Sequence, residues 1–174
     1  NLSYINLAPY QEVVKQNVDW IKPYQSMSGE TVFRRHFENG LFKLYAAFDH
    51  AIFDLNQKDI NASEPVRIDT KNNNFYLNAS YKGNFGEGWS LQTGMSYGYS
   101  QNKIGLELDD VRNRENASHL KMKLTKKFSS RVHLTFGGDY FITDFDETYK
   151  DQNFGDFTYG YRNNIGAVFT ETDI

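Results

Sequence analysis

Apolar and polar positions alternate strictly through most of this chain, most cleanly from Trp89 to Tyr99. Trp89, Leu91, Thr93, Met95, Tyr97 and Tyr99 share one parity, and Ser90, Gln92, Gly94, Ser96, Gly98 and Ser100 share the other. Side chains of a strand point alternately to opposite faces, so the segment predicts a strand with one aromatic, apolar face and one small, polar face. The same rule places Phe75, Leu77, Ala79, Tyr81 and Phe85 against Tyr76, Asn78, Ser80, Lys82 and Asn84. It places Leu120, Met122, Leu124 and Phe128 against His119, Lys121, Lys123 and Lys127, and Val132, Leu134, Phe136, Tyr140 and Ile142 against His133, Thr135, Asp139 and Thr143. Phe42, Leu44, Ala46 and Phe48 oppose Lys43, Tyr45, Ala47 and Asp49, and a last strand is expected from Tyr159 to Thr170. From Thr31 to Phe37 the rule weakens, because Arg34, Arg35 and His36 load both parities with charge. A bulge or an exit from the sheet is expected there.

The connections alternate in length. Glu38-Asn39-Gly40, Gly86-Glu87-Gly88 and Ser129-Ser130 are tight links suited to hairpins, whereas long polar connections are expected at 56–73, 101–118 and 146–158. In an up-and-down meander this places every short turn on one rim and every long loop on the other. Tyr10, Val13, Val14 and Val18, after Pro9, fit helical spacing; the alternative is a frayed strand running into Trp20 and Ile21. Either way that stretch belongs to the long-loop rim.

Three features predict that the apolar face meets lipid. The runs Leu41 to Leu55, Phe75 to Phe85, Trp89 to Lys103 and Arg131 to Phe145 exceed the usual strand of about 5–6 residues and suit the roughly 9–11 that cross a bilayer at a tilt. Short turns opposite long loops are the asymmetry of outer-membrane barrels. Aromatic residues crowd the strand ends, with Phe37 and Phe42, Phe85 and Trp89, and Phe128 beside the tight turns. The opposite parity, rich in Ser, Gly, Asn, Lys, Thr and His, would leave unpaired polar groups in a dry core but suits a wet lumen. Lys126 is the exception on the apolar parity, near enough to a turn for its stem to snorkel.

Composition sharpens this reading. Of 174 residues 39% are hydrophobic and 16% aromatic, yet the mean hydropathy is only -0.67, as expected of a wall that is apolar on alternate residues. No run of about 18 apolar residues exists to form a membrane helix. The absence of cysteine removes disulfide scaffolds, thiolate-ligated metals and thiol nucleophiles. A net charge of -3 argues against nucleic acid as a partner, since phosphate binding needs a basic field. The chain reads as a single region, 1–174, without an internal boundary. It opens Asn1-Leu2-Ser3-Tyr4 and closes Glu171-Thr172-Asp173-Ile174, which suggests ends cut from something longer.

The stretch Leu77-Asn78-Ala79-Ser80-Tyr81-Lys82-Gly83-Asn84-Phe85-Gly86-Glu87-Gly88-Trp89-Ser90-Leu91-Gln92-Thr93-Gly94-Met95-Ser96-Tyr97, followed by Asn102-Lys103-Ile104-Gly105, resembles the middle of the barrel domain of TonB-dependent outer-membrane receptors. Leu7-Ala8-Pro9-Tyr10 and Val18-Asp19-Trp20 look like the same family. The resemblance covers the whole chain as texture and rests on no catalytic or ligand motif. It implies an all-β, antiparallel up-and-down transmembrane β-barrel of about 22 strands around a plug, of which about eight are visible in this chain. It also implies uptake of a scarce nutrient, of the siderophore, cobalamin or glycan class, across the outer membrane of a Gram-negative bacterium. The partners would be the lipid bilayer, the rest of the barrel, a plug domain and an inner-membrane energy-transducing complex. No plug or TonB-contacting segment can be identified in the chain, which alone is not expected to transport.

Candidate chemistry is sparse. His36, His50, His119 and His133 are dispersed, with no i, i+4 pair, and read as separate polar-face or interfacial residues. Asp144, Asp146, Glu147, Asp151 and Asp156 form an acidic stretch, but Tyr149 stands where a calcium loop needs glycine, so a solvated loop is the better reading. Lys121, Lys123 and Lys127 could draw an anion, although pairing with carboxylates such as Asp139 explains them more simply. Gly86-Glu87-Gly88 lacks the continuation of a phosphate loop, and no Ser/His/acid arrangement has a nucleophile context. No catalytic residue, cofactor or metal is assigned, and no enzyme activity is expected. The ligand-contact candidates are Phe154, Phe157, Tyr159 and Tyr161, aromatic residues able to stack on a sugar or planar ligand; an upper aromatic girdle is the plainer reading. Besides a receptor wall, the pattern admits a complete small eight-stranded outer-membrane barrel, adhesive or structural. It also admits a soluble lipocalin-like carrier, although the Gly-x-Trp expected near the start of one is missing.

Overall fold

A computed structural model of the chain describes residues 1–13, 18–58, 64–107 and 109–173. The described residues form eight antiparallel strands in simple up-and-down order, each hydrogen-bonded to its neighbours in sequence. They are β1 (Leu2–Asn6), β2 (Val18–Phe37), β3 (Gly40–Gln57), β4 (Val66–Phe85), β5 (Trp89–Leu106), β6 (Asp109–Lys127), β7 (His133–Asp151) and β8 (Gly155–Asp173), with one helix, α1 (Ala8–Val13), between the first two. The all-β meander inferred from parity is therefore present. β1 and β8 are not neighbours, so the sheet is not closed.

Register turns the parity of each strand into two continuous faces. One row runs across five strands as Phe33, Leu44, Ala79, Met95 and Leu120, each directly opposite the next, and the row above it as Thr31, Ala46, Leu77, Tyr97 and Ser118. Arg34, Lys43, Ser80, Gly94 and Lys121 form a row of the other face. The period-2 pattern is thus in phase from strand to strand, as a single buried face requires. Yet among the described residues no hydrophobic side chain is buried, and Met95, Leu120 and Phe136 are each at least half exposed. The chain exposes 12515 Å². A folded globular monomer of this mass would expose roughly 8,800 Å². The sheet has an apolar face and no core to put it in.

The short-turn rim follows the sequence closely. Glu38-Asn39 joins β2 to β3, with Phe37 paired to Gly40. Gly86 and Gly88 in the β4–β5 turn adopt φ of 55° and 73°, the left-handed region that glycine enters without a steric penalty. The β6–β7 link is longer than the pair Ser129-Ser130: it spans Phe128 to Val132, closed by Phe128 N–H donating to the Val132 carbonyl at 3.0 Å. The Ser129 hydroxyl accepts from the Arg131 and Val132 amides at 3.2 and 3.0 Å, which holds the link shut.

The opposite rim departs from expectation. The predicted long loops are mostly strand: β2 to β8 each run 18 to 20 residues, and β5 and β6 meet across only Glu107 and the undescribed residue 108. Gln152 to Phe154 are all that separate β7 from β8. Within 56–73, residues 59–63 lie outside the described residues. Apolar residues are few in these extensions, Val66, Ile68, Ile104, Leu106 and Val111 among them, so no sustained alternation marks them; cross-strand pairs help hold them instead. Arg67 donates to both carboxylate oxygens of Asp54 at 3.0 and 2.7 Å, Arg114 to Asp146 at 2.7 Å, and Lys103 lies 3.4 Å from Asp110.

The expected irregularity at Thr31 to Phe37 is also misplaced. That segment pairs with β3 residue for residue, and the register shifts of β2 fall between Trp20 and Lys22 and between Lys22 and Gln25. Pro23 sits there, and a residue with no amide proton cannot make the ladder bond. The helix is shorter than its apolar spacing suggested. Asn6 accepts from the Ala8 amide at 2.9 Å and caps it, and Val18 already belongs to β2. Val14 lies outside the described residues.

Candidate binding face

The polar face carries three of the four aromatic candidates and the lysines, and the register decides which of them meet. Phe157, Tyr159 and Tyr161 alternate along β8 and face Tyr149, Glu147 and Phe145 of β7. Phe145 and Tyr161 stack with centroids 5.4 Å apart, and Tyr159 and Tyr161 are tilted at 6.3 Å. An aromatic strip thus climbs the upper part of the polar face, the edge-to-face and offset contacts being those that rings prefer. Phe154 is not part of it. It sits in the β7–β8 turn, 80% exposed, where the Asp151 carboxylate accepts from the Asn153 and Phe154 amides at 2.7 and 2.9 Å. Phe145, absent from the sequence-based set, was findable by parity: it is the next aromatic residue on the same face of β7.

The acidic stretch is dispersed rather than gathered. Asp146 serves Arg114, Asp144 lies 3.4 Å from Arg162, Asp156 lies 3.7 Å from Lys150, and Asp151 caps the turn. Among the described residues no group of three His, Cys, Asp or Glu side chains could hold a metal ion. In the extensions, the guanidinium of Arg67 holds the Asp54 carboxyl below the usual carboxylate range, against the opposing effect of its partial burial. Asp54 and Asp146 in turn raise Arg67 and Arg114 above their ordinary values. Burial, then the charge of Asp109 3.2 Å from its hydroxyl, pushes the Tyr149 phenol up.

The histidines remain apart. His50 shares a 2.7 Å hydrogen bond with Asn73, and His119 stacks on Phe141 at 3.8 Å while sharing a 2.8 Å hydrogen bond with Asp139. His133 has a buried Nε2 without a partner near the short-turn rim.

The lysines come together more than their sequence positions suggest. Lys121 is directly opposite Asp139, its ammonium 3.5 Å from the carboxylate, and Lys123 is 3.6 Å from Glu171. That pairing with carboxylates is the plain expectation for this strand. Across β5, however, Lys43 of β3 and Lys82 of β4 face the same open hollow of about 310 Å³ as Lys121 and Lys123. Its floor is Ser80, Gln92 and Gly94. Lys43 and Lys82 lie about 80 and 40 residues from Lys121 along the chain, so only the register of three intervening ladders unites them.

The apolar face bears two cations near the short-turn rim, and both rest on rings. Lys126 places its Nζ 5.0 Å from the Trp89 ring centroid and donates to the Glu87 carbonyl at 2.7 Å; the Arg35 guanidinium lies 5.2 Å from that of Phe37. Phe85 stacks on Trp89 beside them. Cation and ring together make this rim amphipathic.

No protein-family model matches the chain, and no curated protein does. Among solved structures, the chain is similar at low identity to an uptake receptor. It is the crystal structure of the ferric yersiniabactin uptake receptor FyuA from Yersinia pestis, at a TM-score of 0.42 and 12% identity. The matched region covers 87% of this chain and 25% of that one, so the chain spans about a quarter of the receptor's length.

Proposed function

We propose that the chain is part of the wall of an outer-membrane β-barrel receptor of the TonB-dependent kind. In this reading its apolar face meets lipid and its polar face lines a lumen through which a nutrient of the siderophore, cobalamin or glycan class is taken up. The observation that carries the membrane placement is the apolar face without a core. From the Phe85–Trp89 pair to the Phe75–Tyr99 pair the face rises ten residues, with aromatics at both limits. At ~3.3 Å per residue and ~45° of tilt that is a band about 23 Å tall, close to the height of the apolar belt of outer-membrane barrels. Its two cations near the short-turn rim, each laid over a ring, occupy the headgroup level where snorkelling is cheapest. An open sheet, with β1 and β8 apart, supports a wall longer than eight strands over a small closed barrel. The receptor assignment itself rests on the likeness of the β4–β5 hairpin and of Leu7 to Tyr10 to that family. A plug domain and an inner-membrane energy-transducing complex are its partners. Binding and passage, not catalysis, are the work.

Fractionation and uptake test both halves. The natural protein should partition to the outer membrane of a Gram-negative cell and migrate faster on unheated than on heated gels. Its loss should abolish growth on one scarce nutrient, as should loss of the energy-transducing complex. A monodisperse soluble monomer without detergent would refute the membrane placement. Outer-membrane residence with nutrient uptake indifferent to the energy-transducing complex would refute the receptor assignment alone.

A further inference from the structure

We propose that the hollow lined by Lys43, Lys82, Lys121 and Lys123 is a binding site for a small, multiply charged anion bearing phosphate or carboxylate groups. Three observations converge. First, charge: the rows Arg34–Lys43–Ser80–Gly94–Lys121 and Lys82–Gln92–Lys123 put five cations on one patch of a chain whose net charge is -3. Among the described residues only Asp139 and Glu171 form ion pairs with them, both at the far edge beyond Lys121 and Lys123. Second, repulsion: Arg34 and Lys43 are directly opposite across the β2–β3 ladder, an arrangement that destabilises a sheet unless an anion bridges it. No ion pair holds Lys43 or Lys82 among the described residues, and both side chains are exposed.

Third, space. Gly94 forms the floor, between Ser80 on one side and Lys121 on the other. Its backbone does not need glycine, since its φ is not in the left-handed region. A β-carbon there would make only ordinary contacts, 3.4 Å from the Ala79 carbonyl oxygen and 3.7 Å from the Ser80 β-carbon. The missing side chain therefore leaves room on the polar face among the four lysines that line the hollow. Ser80 and Gln92 add neutral polar groups able to donate to an oxyanion. Ammonium groups on flexible stems act as point charges and suit an oligoanion of variable shape rather than a single planar carboxylate.

The site belongs to the polar face itself and goes beyond the receptor reading; a soluble or a membrane sheet would carry it alike. Titration calorimetry of the natural protein in detergent, with inorganic pyrophosphate at low ionic strength, tests it. Saturable binding that weakens as salt rises is expected. Lys43→Gln and Lys82→Gln should each weaken it about five-fold, the scale of one exposed charge pair, and Lys103→Gln, outside the hollow, should leave it unchanged. Gly94→Phe should abolish it by filling the hollow, with unheated gel mobility checking assembly. If that variant does not assemble, the two lysine variants decide alone. The absence of saturable binding, or binding indifferent to both lysine substitutions, overturns the site. So does a hollow that pyrophosphate cannot enter because a carboxylate segment of the same polypeptide already fills it.

Discussion

Gly88 shows how a single backbone position fixes the short-turn rim. Its φ of 73° lies in the left-handed region, and a β-carbon on it would sit 2.6 Å from the Lys127 carbonyl oxygen. The same residue accepts from the Lys127 amide through its own carbonyl at 2.7 Å, so the β4–β5 turn and the end of β6 touch through backbone alone. Gly155 also has a left-handed φ, of 91°, but nothing lies within 4 Å of its missing β-carbon. Comparing the two separates conformational strain from collision. Gly155→Ala should cost only the backbone penalty, about 1–2 kcal/mol. Gly88→Ala should cost that and more, because the backbone of Lys127 cannot swing aside like a side-chain tip. Urea unfolding of the two variants in detergent reads the difference; equal losses would mean that the contact with Lys127 gives way freely. Glycine elsewhere plays another part. Gly40 and Gly83 are paired across β3 and β4, and the Tyr81 ring lies over both, covering backbone that two side chains would otherwise shield.

At the scale of elements, the ion pairs of the upper hairpins make a pH window. The Asp54 carboxyl is held below its ordinary value by Arg67, so its contribution to stability is present above the unfolded value of about 4 and is lost as pH falls through the lower folded value. The Tyr149 phenol is raised by burial and by Asp109, so its contribution is present below about pH 10 and is lost as pH rises through the higher folded value. Between these limits the extensions of β3–β4 and β6–β7 should exchange their amide protons at a pH-corrected rate that does not change. Below about pH 4 the β3–β4 extension should open first. Asp54→Asn should remove that acid-dependent loss, and an unaltered acid profile in this variant would show that another group governs it. These same extensions were not legible in the sequence. Asn72, Asn73 and Asn74 offer no alternation, because both faces there are polar: Asn74 donates to Asp49 at 2.8 Å on one face and His50 meets Asn73 on the other. A strand whose partners supply its order carries no local pattern of its own. The Arg34-Arg35-His36 run misled for a related reason. Charge on both parities looks like an interrupted strand, yet Arg35 is accommodated over Phe37 at the rim, and the true interruption is at Pro23. The lower strands were legible because one face there is predominantly apolar. The lysines of the hollow were legible only as single polar positions, since their meeting depends on register.

For the whole molecule, the question of which face is wet reduces to two adjacent residues in the middle of the sheet. Met95 lies near mid-height of β5, 56% exposed on the apolar face, between Ala79 and Leu120. Ser96 follows it on the polar face, between Asn78 and His119. Neither is buried, so in water alone an arginine at either position would find solvent and change stability little. In a bilayer the two diverge. An arginine facing the hydrocarbon at mid-depth costs roughly 2–4 kcal/mol, whereas one facing a wet lumen keeps its hydration. Met95→Arg should therefore lower the unfolding free energy in lipid vesicles by about that amount relative to Ser96→Arg, and the gap should shrink for an arginine nearer the rim, as at Leu91. The dependence on depth is the decisive part of the comparison. A sandwich that buried the apolar face against protein would penalise Leu91 and Met95 according to local packing, with no gradient along the strand. Equal tolerance at Met95 and Ser96 would mean that neither face meets hydrocarbon. The gradient ties the parity of one hairpin to the solvent of the whole sheet, because every strand from β2 to β8 is locked to β5 through unbroken register across the band.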